Sequence, residues 1–205
     1  MAGIGFSGAI PLRHLDLLTP EQIGVLTAVQ DLTLAAVLLA LLRVWPKLHA
    51  ADVGLTVPPA PLVGVAAGAG LWVLSLVIAN TQAQVVGAHP QALIVAAEAN
   101  RSVPGLLIDL VFGGGVVAVV EELFFRAVLF ALLRQRMRFV FAAALSSGLF
   151  AIAHEITAWL PVFALGIGLA YLYEKRHSLW TNALAHGTLN ALSFLVLFFL
   201  PNLGG

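Results

Sequence analysis

Residues 105–133 make an apolar run long enough to cross a bilayer, yet its middle reads Glu121-Glu122-Leu123-Phe124-Phe125-Arg126. Hydrocarbon offers no partner to a backbone N–H or C=O, so a run of this length reads as a helix that satisfies its own backbone. Two carboxylates and a guanidinium inside it are costly. A single charged residue at the centre of a membrane helix costs about 2.5 to 3.5 kcal/mol, so three together imply mutual pairing, a wet cavity, or both. The chemistry of the chain is expected there.

The rest of the chain agrees with a membrane setting. Hydrophobic residues make up 60% and charged residues 10%, with a mean hydropathy of +1.00; this is the composition of an integral membrane protein. Lys+Arg 10 balance Asp+Glu 10, so no broad basic surface points to nucleic acid. Cysteine is absent, which excludes disulfides and thiolate chemistry and leaves His, carboxylate or Asn as metal ligands. The first 19 residues lack the basic, apolar and small-residue pattern of a cleaved signal peptide. With no repeat, low-complexity run or composition shift, one membrane domain over 1–205 is expected, its catalytic core at 105–200.

Hydropathy predicts spans at about 23–44, 62–79, 105–133, 139–154, 160–173 and 179–200. Asp31 in the first is read as a packed, hydrogen-bonded residue. Pro46, Pro58, Pro59 and Pro61 mark a linker over 45–61. Between 80 and 104 the pattern is mixed: the apolar patch at 92–97, beside Glu98 and Arg101, is too short to cross and predicts an interfacial helix. Gly113-Gly114-Gly115 predicts a kink or break and allows close backbone approach. The expected fold is all-α: a polytopic transmembrane helix bundle of about six spans plus an interfacial helix. Alternating spans put Arg43, Lys47, Arg134, Arg136, Arg138, Lys175 and Arg176 on one side, against Arg13 and Arg101 on the other. The basic side is cytoplasmic, which puts both termini outside and fits the inner membrane of a bacterium. The 134–138 run reads as an anchor at anionic headgroups.

Two more polar sets lie in spans, Phe150 with His154 and His186 with Asn190. Residues four apart share a helix face, so His186 aligns with Asn190, and Glu122 with Arg126. Measured from the basic boundary at about 1.5 Å per residue, Glu121, His154 and His186 sit roughly 20, 24 and 15 Å deep, so the three spans can share one polar site. Carboxylates, imidazoles and an amide can hydrolyse: Glu takes a proton from water, His binds a metal or orients that water, and Asn donates to an oxyanion. Buried Glu and His also line proton or metal paths in transporters, and a non-catalytic immunity or scaffold protein is a further alternative. His14, His49, His89 and His177 fall near span ends or in linkers and read as interfacial or solvated.

The ordered motifs Glu121-Glu122-x-x-x-Arg126, Phe150-x-x-x-His154 and His186-x-x-x-Asn190 resemble the CAAX-protease and bacteriocin-processing family of intramembrane proteases, over about residues 105–200. The resemblance implies a membrane endopeptidase in which Glu121 activates water, Glu122 and Arg126 support it, and His154, His186 and Asn190 complete the site, acting on a membrane-associated peptide or protein. It leaves open a zinc site on Glu121, His154 and His186 or a metal-free one. Two His and a Glu can make a three-ligand zinc site with an open position, with Glu122 as its outer carboxylate, but the tight H-E-x-x-H spacing is missing. Ala127 stands where the family often has Gly, a small-for-small change that should preserve close packing. Substrate identity, any need for prenylation and the oligomeric state are not encoded in these motifs.

Overall fold

In the computed structural model, the described residues are 49–86 and 101–200, with positions 29, 32–34 and 36 of the first apolar segment. They form α1 (Pro61–Val86), α2 (Val103–Arg134), α3 (Phe139–Ile152), a 3-10 turn (Ile156–Ala158), α4 (Trp159–Arg176) and α5 (Leu179–Phe199). There is no strand among the described residues. α1, α2, α5, and α4 together with its 3-10 turn, are long and apolar enough to cross a membrane; α3 is shorter. The fold is an all-α membrane bundle. Most of the expected first span, with Asp31, and positions 87–100 of the expected interfacial segment lie outside the described residues.

Several boundaries differ from the hydropathy reading, for reasons the hydrogen bonds show. α1 continues past 79 to Val86 because its polar end finds partners: Thr81 Oγ1 donates to Val77 O at 2.8 Å, and Gln82 Nε2 donates to Thr157 O at 2.7 Å. Apolarity marks where lipid ends, not where a helix ends. α3 stops at Ile152, so His154 stands in the following turn, its N–H bonded to Ala151 O at 2.9 Å.

The glycine run does not break α2. The helix instead widens into π-type turns over Asp109–Val117 and again over Leu123–Phe130, with α-helical Ala118–Glu122 between them. Glu121 and Glu122 thus sit between two widened stretches, a local geometry that recurs at functional sites.

α5 is the central helix, packed on α1, α2 and α4, while α3 lies against α4 and the second half of α2. Backbone contact sets this arrangement. A side chain on Gly64 would come within 2.9 Å of both Leu184 Cβ and the Thr181 carbonyl, one on Gly68 would strike the Ala185 carbonyl, and one on Gly187 the Gly114 carbonyl. In lipid, where apolar helices gain little by leaving the solvent, such close approach is a main source of helix association. The predicted close approach at the glycine run is therefore realised, between Gly114 and Gly187. Leu62, Val77, Leu107, Phe112 and Val140 point outward, the apolar exterior a bilayer requires.

Candidate active site

Glu122 is fully buried and holds the site together. Its Oε1 accepts from Arg126 Nη1 at 2.7 Å and from His186 Nδ1 at 2.9 Å, and its Oε2 accepts from Asn182 Nδ2 at 2.8 Å. Arg126 comes from the next turn of α2, while Asn182 and His186 share one face of α5. The Gly114–Gly187 contact brings these two helices close enough for those bonds. Arg126 is as buried as its partner, and its guanidinium carbon lies 4.3 Å from the Phe150 ring centroid, where the ring face attracts a desolvated cation.

The carboxylate of Glu122 fixes the proton on His186. An ionised carboxylate only accepts, so Nδ1 must be the donor, which leaves the lone pair of a neutral imidazole on Nε2. That nitrogen stands 3.6 Å from Glu121 Oε2. A proton on either atom makes this contact attractive, and with both nitrogens of His186 protonated it is an ion pair.

His154 approaches from the end of α3. Its Nδ1 donates to Phe150 O at 2.8 Å, since a carbonyl can only accept, and Trp159 Nε1 donates to His154 O at 3.0 Å, pinning the turn. Phe150 packs edge-on against both imidazoles, its centroid 4.7 Å from the His154 ring and 5.9 Å from the His186 ring. The Phe150 ring is thus shared by both histidines and by Arg126.

Asn190 lies on the His186 face of α5, but its Nδ2 donates to Gly113 O at 2.9 Å, tying α5 to the widened part of α2. The structure therefore brings Glu121, Glu122, Arg126 and His186 into direct contact, joins His154 to them through Phe150, and places Asn190 against backbone. His49 and His177 lie away from this cluster: His177 ends α4 in the left-handed conformation (φ 48°), and His49 precedes α1. His14 and His89 lie outside the described residues. In the basic run, Arg134 is engaged within the protein, its guanidinium bridging to Glu174 at 2.7 Å and donating to Met137 O at 2.9 Å.

Asn182 is the site residue the motifs did not single out. The signal was present: Asn182, His186 and Asn190 are spaced four apart, and extending the stripe one turn towards the N-terminus finds it. No group of three His, Asp or Glu side chains able to hold a metal ion is present among the described residues: beside Glu121 and His186 the nearest carboxylate, Glu122, is already engaged by Arg126, His186 and Asn182. Glu121 and His186 meet, and the Phe150 ring touches both His186 and His154.

Compared with known proteins, residues 103–192 match the family described as Rce1-like, type II CAAX prenyl endopeptidase Rce1-like. That stretch contains all three motifs and Asn182. A 73-residue segment is 33% identical to YdiL of Bacillus subtilis (strain 168), a protein provisionally named as a membrane peptidase; the match covers 35% of this chain and 30% of YdiL. No solved structure matches the chain.

Proposed function

We propose that the chain, whose residues 103–192 match the Rce1-like CAAX prenyl endopeptidase family, belongs to the CAAX-protease and bacteriocin-processing family and is an intramembrane endopeptidase that hydrolyses a peptide bond of a membrane-associated peptide or protein. The observation that supports this reading most is the pair of unlike carboxylates, Glu122 accepting from three side chains and Glu121 facing His186 Nε2 at 3.6 Å.

In this reading water sits beside Glu121 Oε2 and His186 Nε2. As its oxygen attacks the carbonyl carbon of the substrate, Glu121 takes a proton, and the former carbonyl oxygen becomes the oxyanion of a tetrahedral intermediate. The second amide hydrogen of Asn190, beyond the one given to Gly113, and a protonated His154 are the donors proposed for that oxyanion. The C–N bond then breaks, the leaving nitrogen receives the proton held by Glu121, and a carboxyl group and an amine are released. Glu122 and Arg126 hold His186 in place throughout.

The residues at 105–200 form the proposed catalytic core of a single membrane domain, with the basic ends of α2 and α4 on the cytoplasmic side of a bacterial inner membrane. The test is turnover by the purified chain in lipid vesicles, with fluorescence-quenched peptides that either carry or lack a prenylated C-terminal cysteine. Cleavage that disappears in Glu121→Gln and His186→Ala supports the reading. Equal cleavage by wild type and both variants would sink it. Preference between the two peptide sets decides whether a lipid anchor is part of recognition.

A further inference from the structure

We propose that Asn182 is a positioning residue that, through Glu122, decides which nitrogen of His186 carries the proton; the inference rests on the hydrolytic reading above and extends it to the control of the base.

Asn182 has no exposed surface. Its Nδ2 donates twice, to Glu122 Oε2 at 2.8 Å and to Leu169 O in α4 at 2.9 Å. Both partners accept only, so the amide has one orientation: turned over, its oxygen would face a carboxylate and a carbonyl with no hydrogen between them. The α4 backbone thus fixes Asn182, and Asn182 fixes one oxygen of Glu122.

Arg126 shows what that constraint prevents. An arginine beside a carboxylate normally closes a two-bond fork on it, yet here only Nη1 bonds Glu122, while Nη2 is buried with no hydrogen-bond partner among the described residues. The terminal torsion of a Glu side chain is soft, so a carboxylate freed from Asn182 would turn to close the fork. Closing it would draw Oε1 away from His186 Nδ1. With Asn182 holding Oε2, Oε1 stays shared between Arg126 and His186, Nδ1 keeps the proton, and the Nε2 lone pair remains directed at Glu121 and its water. Asn182 therefore acts two bonds away from the reacting atoms and touches none of them.

The experiment is nitrogen NMR of the full chain in lipid, labelled with 15N-histidine, with the His186 signal identified by its loss in His186→Gln. In wild type the proton should reside on Nδ1; a proton on Nε2 would overturn the proposal with no Asn182 variant needed. In Asn182→Leu the Nδ1–H population should fall, with kcat reduced about 10- to 100-fold, the usual cost of removing an outer partner of a working histidine, and with KM unchanged. Adding Arg126→Lys, which cannot close a planar fork, should restore part of the Nδ1–H signal. Asn182→Ser covers the case in which the leucine variant does not fold. A folded variant with an unchanged tautomer rejects the inference. The hydrolytic reading fails separately, if Glu121→Gln keeps full turnover, and that result leaves the tautomer measurement intact.

Discussion

Glu121 and Glu122 are adjacent in the chain and opposite in circumstance: Glu122 accepts from Arg126, His186 and Asn182, whereas Glu121 faces His186 Nε2 across 3.6 Å. One carboxylate is held by three donors, and the other is the base of the proposed hydrolysis. The two substitutions Glu121→Gln and Glu122→Gln should therefore fail differently. For Glu121→Gln the expectation is a folded protein whose turnover falls about 10²- to 10⁴-fold, the usual contribution of a positioned general base. Glu122→Gln should lower thermal stability in detergent as well, because it strands Arg126. Equal melting temperatures for the two variants would contradict this division of roles.

The Glu122–Arg126 pair gives a second prediction, about stability alone. Removing one member of a buried ion pair leaves an uncompensated charge and costs about 3 to 5 kcal/mol, whereas replacing both with apolar residues of similar size is often near neutral. Arg126→Leu alone should unfold markedly earlier than wild type. The double variant Glu122→Leu with Arg126→Leu should recover part of the loss, without recovering activity, since His186 then lacks its acceptor. Thermal unfolding of the three proteins, followed by circular dichroism, checks the order.

Much of this arrangement was legible in the sequence, and the gaps have physical causes. The face shared by Glu122 and Arg126, and the convergence of α2 with α5, followed from helical spacing and from the distance to basic boundary residues. The end of α1 was missed because hydropathy cannot see that Gln82 finds a carbonyl on another helix. The glycine run suggested a kink or break and a close backbone approach; the helix is not broken there but widens, and the exposed backbone is used for contact with Gly187. Asn182 shares the helix stripe of His186 and Asn190, but its role shows only once its acceptor, sixty residues away, is known.

That glycine contact makes the third prediction. Gly187→Ala places a methyl group against the Gly114 carbonyl, and overpacking of this kind costs about 1 to 3 kcal/mol. Because the same contact sets the distance from His186 to Glu122, activity should fall by more than the stability loss explains. Gly70→Ala is the control: nothing lies within 4 Å of the added carbon, and helix propensity favours alanine by about 0.5 to 1 kcal/mol. Loss of turnover in Gly187→Ala with full turnover in Gly70→Ala is the expected result.

The metal question is decided by content and chelation measured together. A catalytic zinc needs three protein ligands at about 2.0 to 2.2 Å. In this arrangement Glu121 and His186 are 3.6 Å apart, and no group of three ligands able to hold a metal is present among the described residues, so a zinc site on Glu121, His154 and His186 would require a rearrangement of these side chains. If the arrangement seen here is the working one, purified wild type should hold less than one zinc per chain and keep its turnover in chelator, while Glu121→Gln remains inactive. Stoichiometric zinc that is lost from the His154→Ala and His186→Ala double variant, with turnover abolished by chelation, would instead mean that the turn carrying His154 closes onto Glu121 when metal binds. The two outcomes assign His154 different work, as an oxyanion donor in the first case and as a ligand in the second.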